Sequence, residues 1–411
     1  METGPVLIVE PAPHSRSAAI GAWIRSGSAD EPAELAGVTH LLEHLLLRRC
    51  GHRSSEQIAE LIDALGGAVD AFTTREACAI TAHVPADRQS EAIGLILDAL
   101  FEPTLLAEDV RLEQKVVDAE FDLVQDSPVE VAAERALEAC WGDHPLARPV
   151  LGTRERVNRL GSDELQRFHR ERFGMERLLL VLVSPTPPEA IDALASLPHV
   201  APPTPPPACP AWRHGILVEA RDGLEQIYAN LVLPGLASAD EESMTLAVLH
   251  QLLGGGASSR LFRELRDRLG LVYEVETATY STSTAGLLEV TFSCPARQSG
   301  KCWDAVLGVL DEVAAGGITD REVVLAKQAI GSGLVLGAEG ADALMEAHAG
   351  EFLARGVRFD VARLREELEQ VTPERVRALG RRLIDLSILS GAVCGPHGTL
   401  LVPASLTRRV A

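Results

Sequence analysis

Apolar and polar positions along the first half of the chain fall into two rhythms. Residues 5–9 and 18–24 are short apolar runs, and 68–72 and 77–84 alternate apolar with polar side chains, so each predicts a strand. Residues 38–47 and 55–65 bring an apolar side chain back every three or four positions, which predicts helices, and further helices follow. After mid-chain the scheme returns. Strands are predicted over 215–219, 227–233 and 288–294, and helices over 243–253 and 305–314. Antiparallel-looking strand neighbours alternating with long helices read as α+β domains.

Pro185 to Pro188 and the run 201–210 (APPTPPPACP) cannot continue a helix or a central strand, and they read as a stiff spacer near the middle of the chain. Pro85-Ala86-Asp87-Arg88-Gln89-Ser90 is echoed 210 residues later by Pro295-Ala296-Arg297-Gln298-Ser299, and the same offset sets His40 opposite His250. In both copies the echo lies between a predicted strand and a predicted amphipathic helix. We therefore expect an internal duplication: homologous α+β domains over 1–200 and 212–411, joined by a Pro-rich linker over 201–211.

Composition narrows the function classes. A chain of 411 residues with 46% hydrophobic and 24% charged positions can bury a sizeable core and is neither disordered nor fibrous. Its formal net charge of −21 argues against a nucleic-acid partner, which demands a cationic face. No run approaches the roughly 18 uninterrupted apolar residues of a membrane helix. The apolar stretch at 6–9 stops at Glu10 with no basic residue before it, so it reads as a strand, not a signal peptide. Seven cysteines without short metal-type spacing read as reduced thiols, which implies a cytoplasmic protein.

The chemistry is concentrated at His40-Leu41-Leu42-Glu43-His44. On a helix, His40 and His44 project from one face one turn apart, which suits two imidazoles converging on one ion. Glu43 is offset around the helix, close enough to reach a water at the ion without taking a ligand position, as a general base requires. The five apolar side chains Leu41, Leu42, Leu45, Leu46 and Leu47 mark a buried helix, where two histidines and a carboxylate need partners. A third protein ligand should come from elsewhere. The amphipathic helix over 109–121 offers Glu113 and Glu120, seven apart and on one face; Glu120 is the candidate ligand and Glu113 a carboxylate able to orient an imidazole or assist proton transfer. Alone, such a Glu pair reads as a solvated face.

These residues, with Glu120 lying 76 positions beyond His44, resemble the pitrilysin/insulinase-type inverted zinc metallopeptidases, in particular the short-chain branch that includes mitochondrial processing peptidase. Residues 66–76, 144–153 and 254–273 look like further blocks of that family, so the resemblance spans nearly the whole chain. It implies two homologous α+β domains, half of a four-domain clamshell, with Zn2+ held by His40, His44 and Glu120. It also implies that the strand bearing Ala71 and Thr73 borders the cleft and receives substrate as an added strand, and that Arg266 and Tyr273 bind substrate carbonyls opposite the zinc. Asp70 and Leu41 depart from the common family pattern, which has Asn and an aromatic at those places. His250 has no Glu-His continuation and Ile330 stands opposite Glu120, so the second half should lack a metal site.

The expectation is a zinc metalloendopeptidase acting on unfolded peptides in an enclosed dimeric chamber. Glu43 and Glu113 would be its catalytic carboxylates. A homodimer follows if each chain supplies both kinds of domain, and a heterodimer with a related subunit is the variant. The alternative is a non-catalytic structural or partner subunit of such a heterodimer, a role in which ligands or base are commonly lost.

Overall fold

In the computed structural model, which describes residues 4–186, 194, 197–203, 205–397, 402, 403 and 406, each half of the sequence builds a five-stranded sheet of the same topology. The first contains β1 (Val6–Pro11), β2 (Ser17–Ile24), β3 (Ala68–Thr73), β4 (Cys78–Pro85) and β5 (Leu178–Ser184), in the order β1-β5-β2-β4-β3. The second contains β6 (Gly215–Ala220), β7 (Gln226–Pro234), β8 (Val275–Ser281), β9 (Gly286–Pro295) and β10 (Ser390–Gly395), in the order β6-β10-β7-β9-β8. In each, the first strand pairs in parallel with the last and every other pairing is antiparallel. The two Pro-Ala echoes occupy matching places: Pro85 and Pro295 end the fourth strand of their sheets, and a single 3-10 turn leads each into a helix. The two-domain α+β architecture is thus present in the coordinates.

The helices of the first half are α1 (Val38–Leu46), α2 (Ser55–Leu65), α3 (Gln89–Phe101), α4 (Ala107–Asp126), α5 (Pro128–Trp141), α6 (Arg154–Val157) and α7 (Ser162–Arg172). Those of the second are α8 (Ser243–Leu253), α9 (Ser299–Ala314), α10 (Asp320–Leu336), α11 (Ala341–Arg355), α12 (Val361–Glu369) and α13 (Pro373–Leu383). The compact units do not follow the sequence halves. One unit joins residues 1–122 and 148–207 to 337–359; the other joins 123–147 to 208–336 and 360–411. A cut at 200 and 212 assigns α5 to the first domain and α11 to the second, and packing places each in the opposite unit.

The reason is the second face of each sheet. In β2 and β5, Ile20, Ile24, Leu180 and Leu182 point into the core shared with α1 and α3, whereas Trp23, Leu179 and Val181 point to the other side. There Met345 and Ala349 of α11 cover them. Helix α5 likewise packs on β10, β7 and β6 of the second sheet. Leaving either face bare would expose a large apolar surface. The Pro-rich segment is tied at both ends: the guanidinium of buried Arg177 donates to the carbonyls of Ala201 and Pro202 in the first unit, and Trp212 Nε1 donates to the Ile388 carbonyl in the second.

Candidate metal centre

Helix α1 carries the site because its apolar side chains leave it no rotational freedom. Val38, Leu41, Leu42, Leu45 and Leu46 are fully buried in the first core, and their spacing turns His40, Glu43 and His44 toward α4 and β3. The His40 and His44 rings meet edge to face with centroids 4.7 Å apart. Helix α4 is fixed in the same way by Val110 and Val117, and it brings Glu113 and Glu120 to the imidazoles.

Glu120 Oε2 lies 3.5 Å from His40 Nε2 and 3.5 Å from His44 Nε2. One ligand atom from each of the three side chains lies within 4.8 Å of the other two. Tetrahedral zinc with bonds of about 2.0–2.2 Å separates its ligand atoms by about 3.3–3.6 Å, so the donor set fits that ion. The bonding pattern agrees: Glu120 Oε2 is buried yet accepts no hydrogen bond, a costly state for a carboxylate oxygen unless a cation satisfies it. His40, His44 and Glu120 therefore form a zinc site of the three-ligand, catalytic type.

Around these ligands stands a second set of contacts. Glu113 Oε2 lies 3.4 Å from His44 Nδ1, and Glu113 Oε1 lies 3.5 Å from Arg48 Nη1. Arg48 also approaches buried Asp109, to which Arg49 Nε donates at 2.6 Å. The Arg48-Arg49 pair, read from the sequence only as a departure from the family pattern, thus ties the end of α1 to α4. Its sequence signal is the local run of two cations facing the acidic first turn of α4. On the other side of α1, Thr73 Oγ1 at the end of β3 donates to Glu43 Oε2 at 2.8 Å.

Burial and charge set the protonation of the site. Burial, helped by the neighbouring His44, pushes His40 down to about 4, so its imidazole is neutral and able to ligate at physiological pH. For His44, burial works against the charged ring, but the hydrogen bond to Glu113 and the carboxylates of Glu120 and Glu43 outweigh it and raise the pKa. Burial raises Glu43 above the ordinary carboxylate range, opposed by the Thr73 hydroxyl and His44 and assisted by Glu120 and Asp70. Glu113→Gln should weaken zinc binding by about 10–100-fold, the usual effect of removing a group that orients a ligating histidine. Titration with a competing chelator would measure it, and an unchanged affinity would remove Glu113 from the metal centre.

In the second unit the residues singled out from the sequence lie together. The Arg266 guanidinium stacks over the rings of Phe262 and Tyr273, at 4.7 and 5.2 Å from their centroids, and Tyr273 is 82% exposed. His250, the counterpart of His40, donates from Nε2 to the Thr277 carbonyl at 2.7 Å and is a satisfied structural histidine. Among the described residues, the His40–His44–Glu120 group is the one set able to hold a metal.

Comparison with known proteins follows the same division. Residues 6–154 match the family described as insulinase (peptidase family M16), and residues 159–330 match the peptidase M16 inactive domain. An uncharacterized zinc protease of Mycobacterium tuberculosis is 34% identical over 402 residues, spanning 96% of this chain and 91% of its own. The chain belongs to peptidase family M16. A second uncharacterized zinc protease, from Streptomyces coelicolor, is 33% identical over 92% of the chain and 85% of its own length, and one from Bacillus subtilis is 28% identical over 93% and 94%. Two crystal structures share the fold with a TM-score of 0.87: a peptidase M16 inactive domain from Pseudomonas fluorescens (19% identity, covering 97% of each chain) and a protease from Helicobacter pylori (17% identity, covering 96% of this chain and 98% of that one). This M16 chain is a zinc metalloendopeptidase whose metal cluster lies in the part matched by the insulinase model.

Proposed function

We propose that this M16 peptidase cleaves extended, unfolded peptides in the cytoplasm, inside a chamber closed by a second copy of the chain. The observation that carries the reading is the hydrogen bond from Thr73 to Glu43, which joins an open sheet edge to the carboxylate beside the metal cluster. Strand β3 pairs only with β4 among the described residues, so its outer edge can accept a peptide as one more strand. Backbone groups around Ala71 and Thr73 would then fix the scissile amide irrespective of its side chains. Asp70 modifies that edge: its Oδ1 accepts the Ala71 N–H at 3.0 Å, and an arriving carbonyl must share or displace that bond. All seven cysteines are free thiols, which fits a reducing compartment.

Zinc bound at this site would polarise the scissile carbonyl and lower the pKa of a water toward 7. Glu43 takes the proton from the attacking water and returns it to the leaving amine, a task suited to a carboxylate whose pKa burial has raised. Glu113 holds the His44 ring in the orientation that presents Nε2 to the ion. Arg266 and exposed Tyr273 bind the substrate carbonyl, with Tyr273 donating to the developing oxyanion. The presence of all three ligands and of Glu43 favours an active enzyme over a non-catalytic subunit of a heterodimer.

The dimeric part is tested by complementation. Arg266 and Tyr273 would complete the metal site of the partner, so Glu43→Gln and Tyr273→Phe homodimers should each be impaired, the latter by about 100-fold or more. Dissociated, mixed and reassociated, they form mixed dimers in about half the population. Each mixed dimer pairs one intact Glu43 with one intact Tyr273, so activity should recover to roughly one quarter of wild type. Recovery no greater than the parents' average, with subunit exchange verified by mass spectrometry, would reject an active site shared between chains.

A further inference from the structure

The zinc helix begins without a cap of its own. Helix α1 starts at Val38, so His40 is its third residue and stands within the turn whose N–H groups have no intrahelical acceptor. The preceding residue is Gly37, which has no side chain to cap with and sits in the left-handed region at φ 95°. Gly37 is held there by close approach: a Cβ would come within 2.5 Å of the Leu151 carbonyl oxygen. The usual Ser, Thr, Asp or Asn device is therefore excluded at this position.

Glu31 supplies what is missing from six residues upstream. Its Oε2 accepts the Gly37 N–H at 2.8 Å and its Oε1 accepts the Thr39 N–H at 2.7 Å, so both oxygens are spent on the start of α1. Glu31 is only 5% exposed. A carboxylate in such a place is costly unless paired, and here the pairing comes from the helix terminus, whose dipole favours negative charge, and from Arg148. Arg148 Nη1 donates to the Glu31 backbone carbonyl at 3.1 Å, and its charge lowers the pKa of the buried carboxyl. Burial nonetheless pushes that carboxyl up to about 7, so the interior bears a real cost for a group that touches neither ligand nor substrate.

We propose that Glu31 is a positioning residue for the metal centre: its carboxylate, braced by Arg148, fixes the first turn of α1 and thereby the direction in which His40 meets Glu120 and His44. A hydrophobic contact in its place would satisfy the core but leave the first turn free to fray, and His40 belongs to that turn. At the other end of α1 the Arg48, Arg49 and Asp109 contacts hold the helix to α4, so the ligand pair is fixed from both sides.

The proposal rests on the zinc-site assignment, and zinc affinity tests both separately. Wild-type protein titrated with zinc against a chromophoric chelator establishes the site; failure to bind would remove the assignment itself. Glu31→Gln retains the shape but replaces one of the two acceptor oxygens by a donor, and its zinc Kd should rise by about tenfold or more. Arg148→Gln, at a half-buried position, should shift Kd the same way by a smaller factor and serves if the first variant does not fold. Val393→Ala in β10, a destabilising change in the other unit, is the control for general loss of stability and should leave Kd within twofold. Wild-type zinc affinity in folded Glu31→Gln, or in Arg148→Gln if only that variant folds, would overturn the positioning role. So would an equal loss in Val393→Ala.

Discussion

Glu43→Gln should bind zinc with wild-type stoichiometry and hydrolyse peptides at least about 100- to 10,000-fold more slowly, the range supplied by a positioned general base. The amide matches the carboxylate in size, and the Thr73 hydroxyl can still donate to its oxygen, so β3 and α1 stay in register. What disappears is the capacity to accept a proton. No compensating loss of stability is expected, because burial already disfavours the charged form of Glu43 and a neutral amide avoids that cost. The measurement is single-turnover cleavage of an unstructured peptide alongside zinc content of the same sample. Near-normal turnover by zinc-loaded Glu43→Gln would show that another group moves the proton, and Glu43 would then serve only to anchor the sheet edge through Thr73.

The metal centre was legible from the sequence because its signal is local on each of two helices. His40 and His44 share a face by helical arithmetic, as do Glu113 and Glu120, and the structure brings the two faces together. What holds the helices together was not legible. Glu31 lies in a segment with no hydrophobic period, and its partners are backbone N–H groups that leave no mark on the residue pattern. Arg48 and Arg49 stood out as unusual residues, but nothing in their spacing pointed to Asp109, which lies sixty positions on from Arg49.

The fold divides along the same line. Strands β3 and β4 alternate and were readable, and α2 falls where its period predicts. Strand β5 was missed: it reads Leu-Leu-Leu-Val-Leu-Val-Ser and is buried at every position, so it shows no alternation. Its period is erased because α11 covers the face that would otherwise be polar. Strand β10 was missed because Ser390, Gly391 and Gly395 dilute its apolar content, although all six of its positions are buried. The exchange of α5 and α11 between the compact units has no local sequence signal. Each helix is an ordinary amphipath, and its partner sheet lies in the other half of the chain.

His40→Ala and Glu120→Ala should each abolish stoichiometric zinc binding, whereas the wild type should hold about one zinc per chain. Removing a direct ligand must cost more than the roughly 10–100-fold that follows loss of an orienting group, because two protein ligands remain where three converged. The two substitutions act differently on charge. His40 is held neutral by burial, so its removal deletes a donor without altering the electrostatics of the cluster. Removing Glu120 takes away the negative charge facing both imidazoles, and Glu120→Gln separates charge from shape. Neither change should unfold α1, since Leu41, Leu42, Leu45 and Leu46 remain buried. The thermal readout is therefore the increment zinc adds to each protein. At a free zinc concentration of about 1,000 times the wild-type Kd, binding adds about 4 kcal/mol of stability, and a variant weakened about 100-fold retains about 1.4 kcal/mol. Calorimetry with and without zinc, paired with metal analysis after dialysis, distinguishes these outcomes. Full occupancy and an undiminished zinc-dependent rise in Tm for both alanine variants would reject His40 and Glu120 as ligands, and the orphaned Glu120 oxygen would need another cation to explain it.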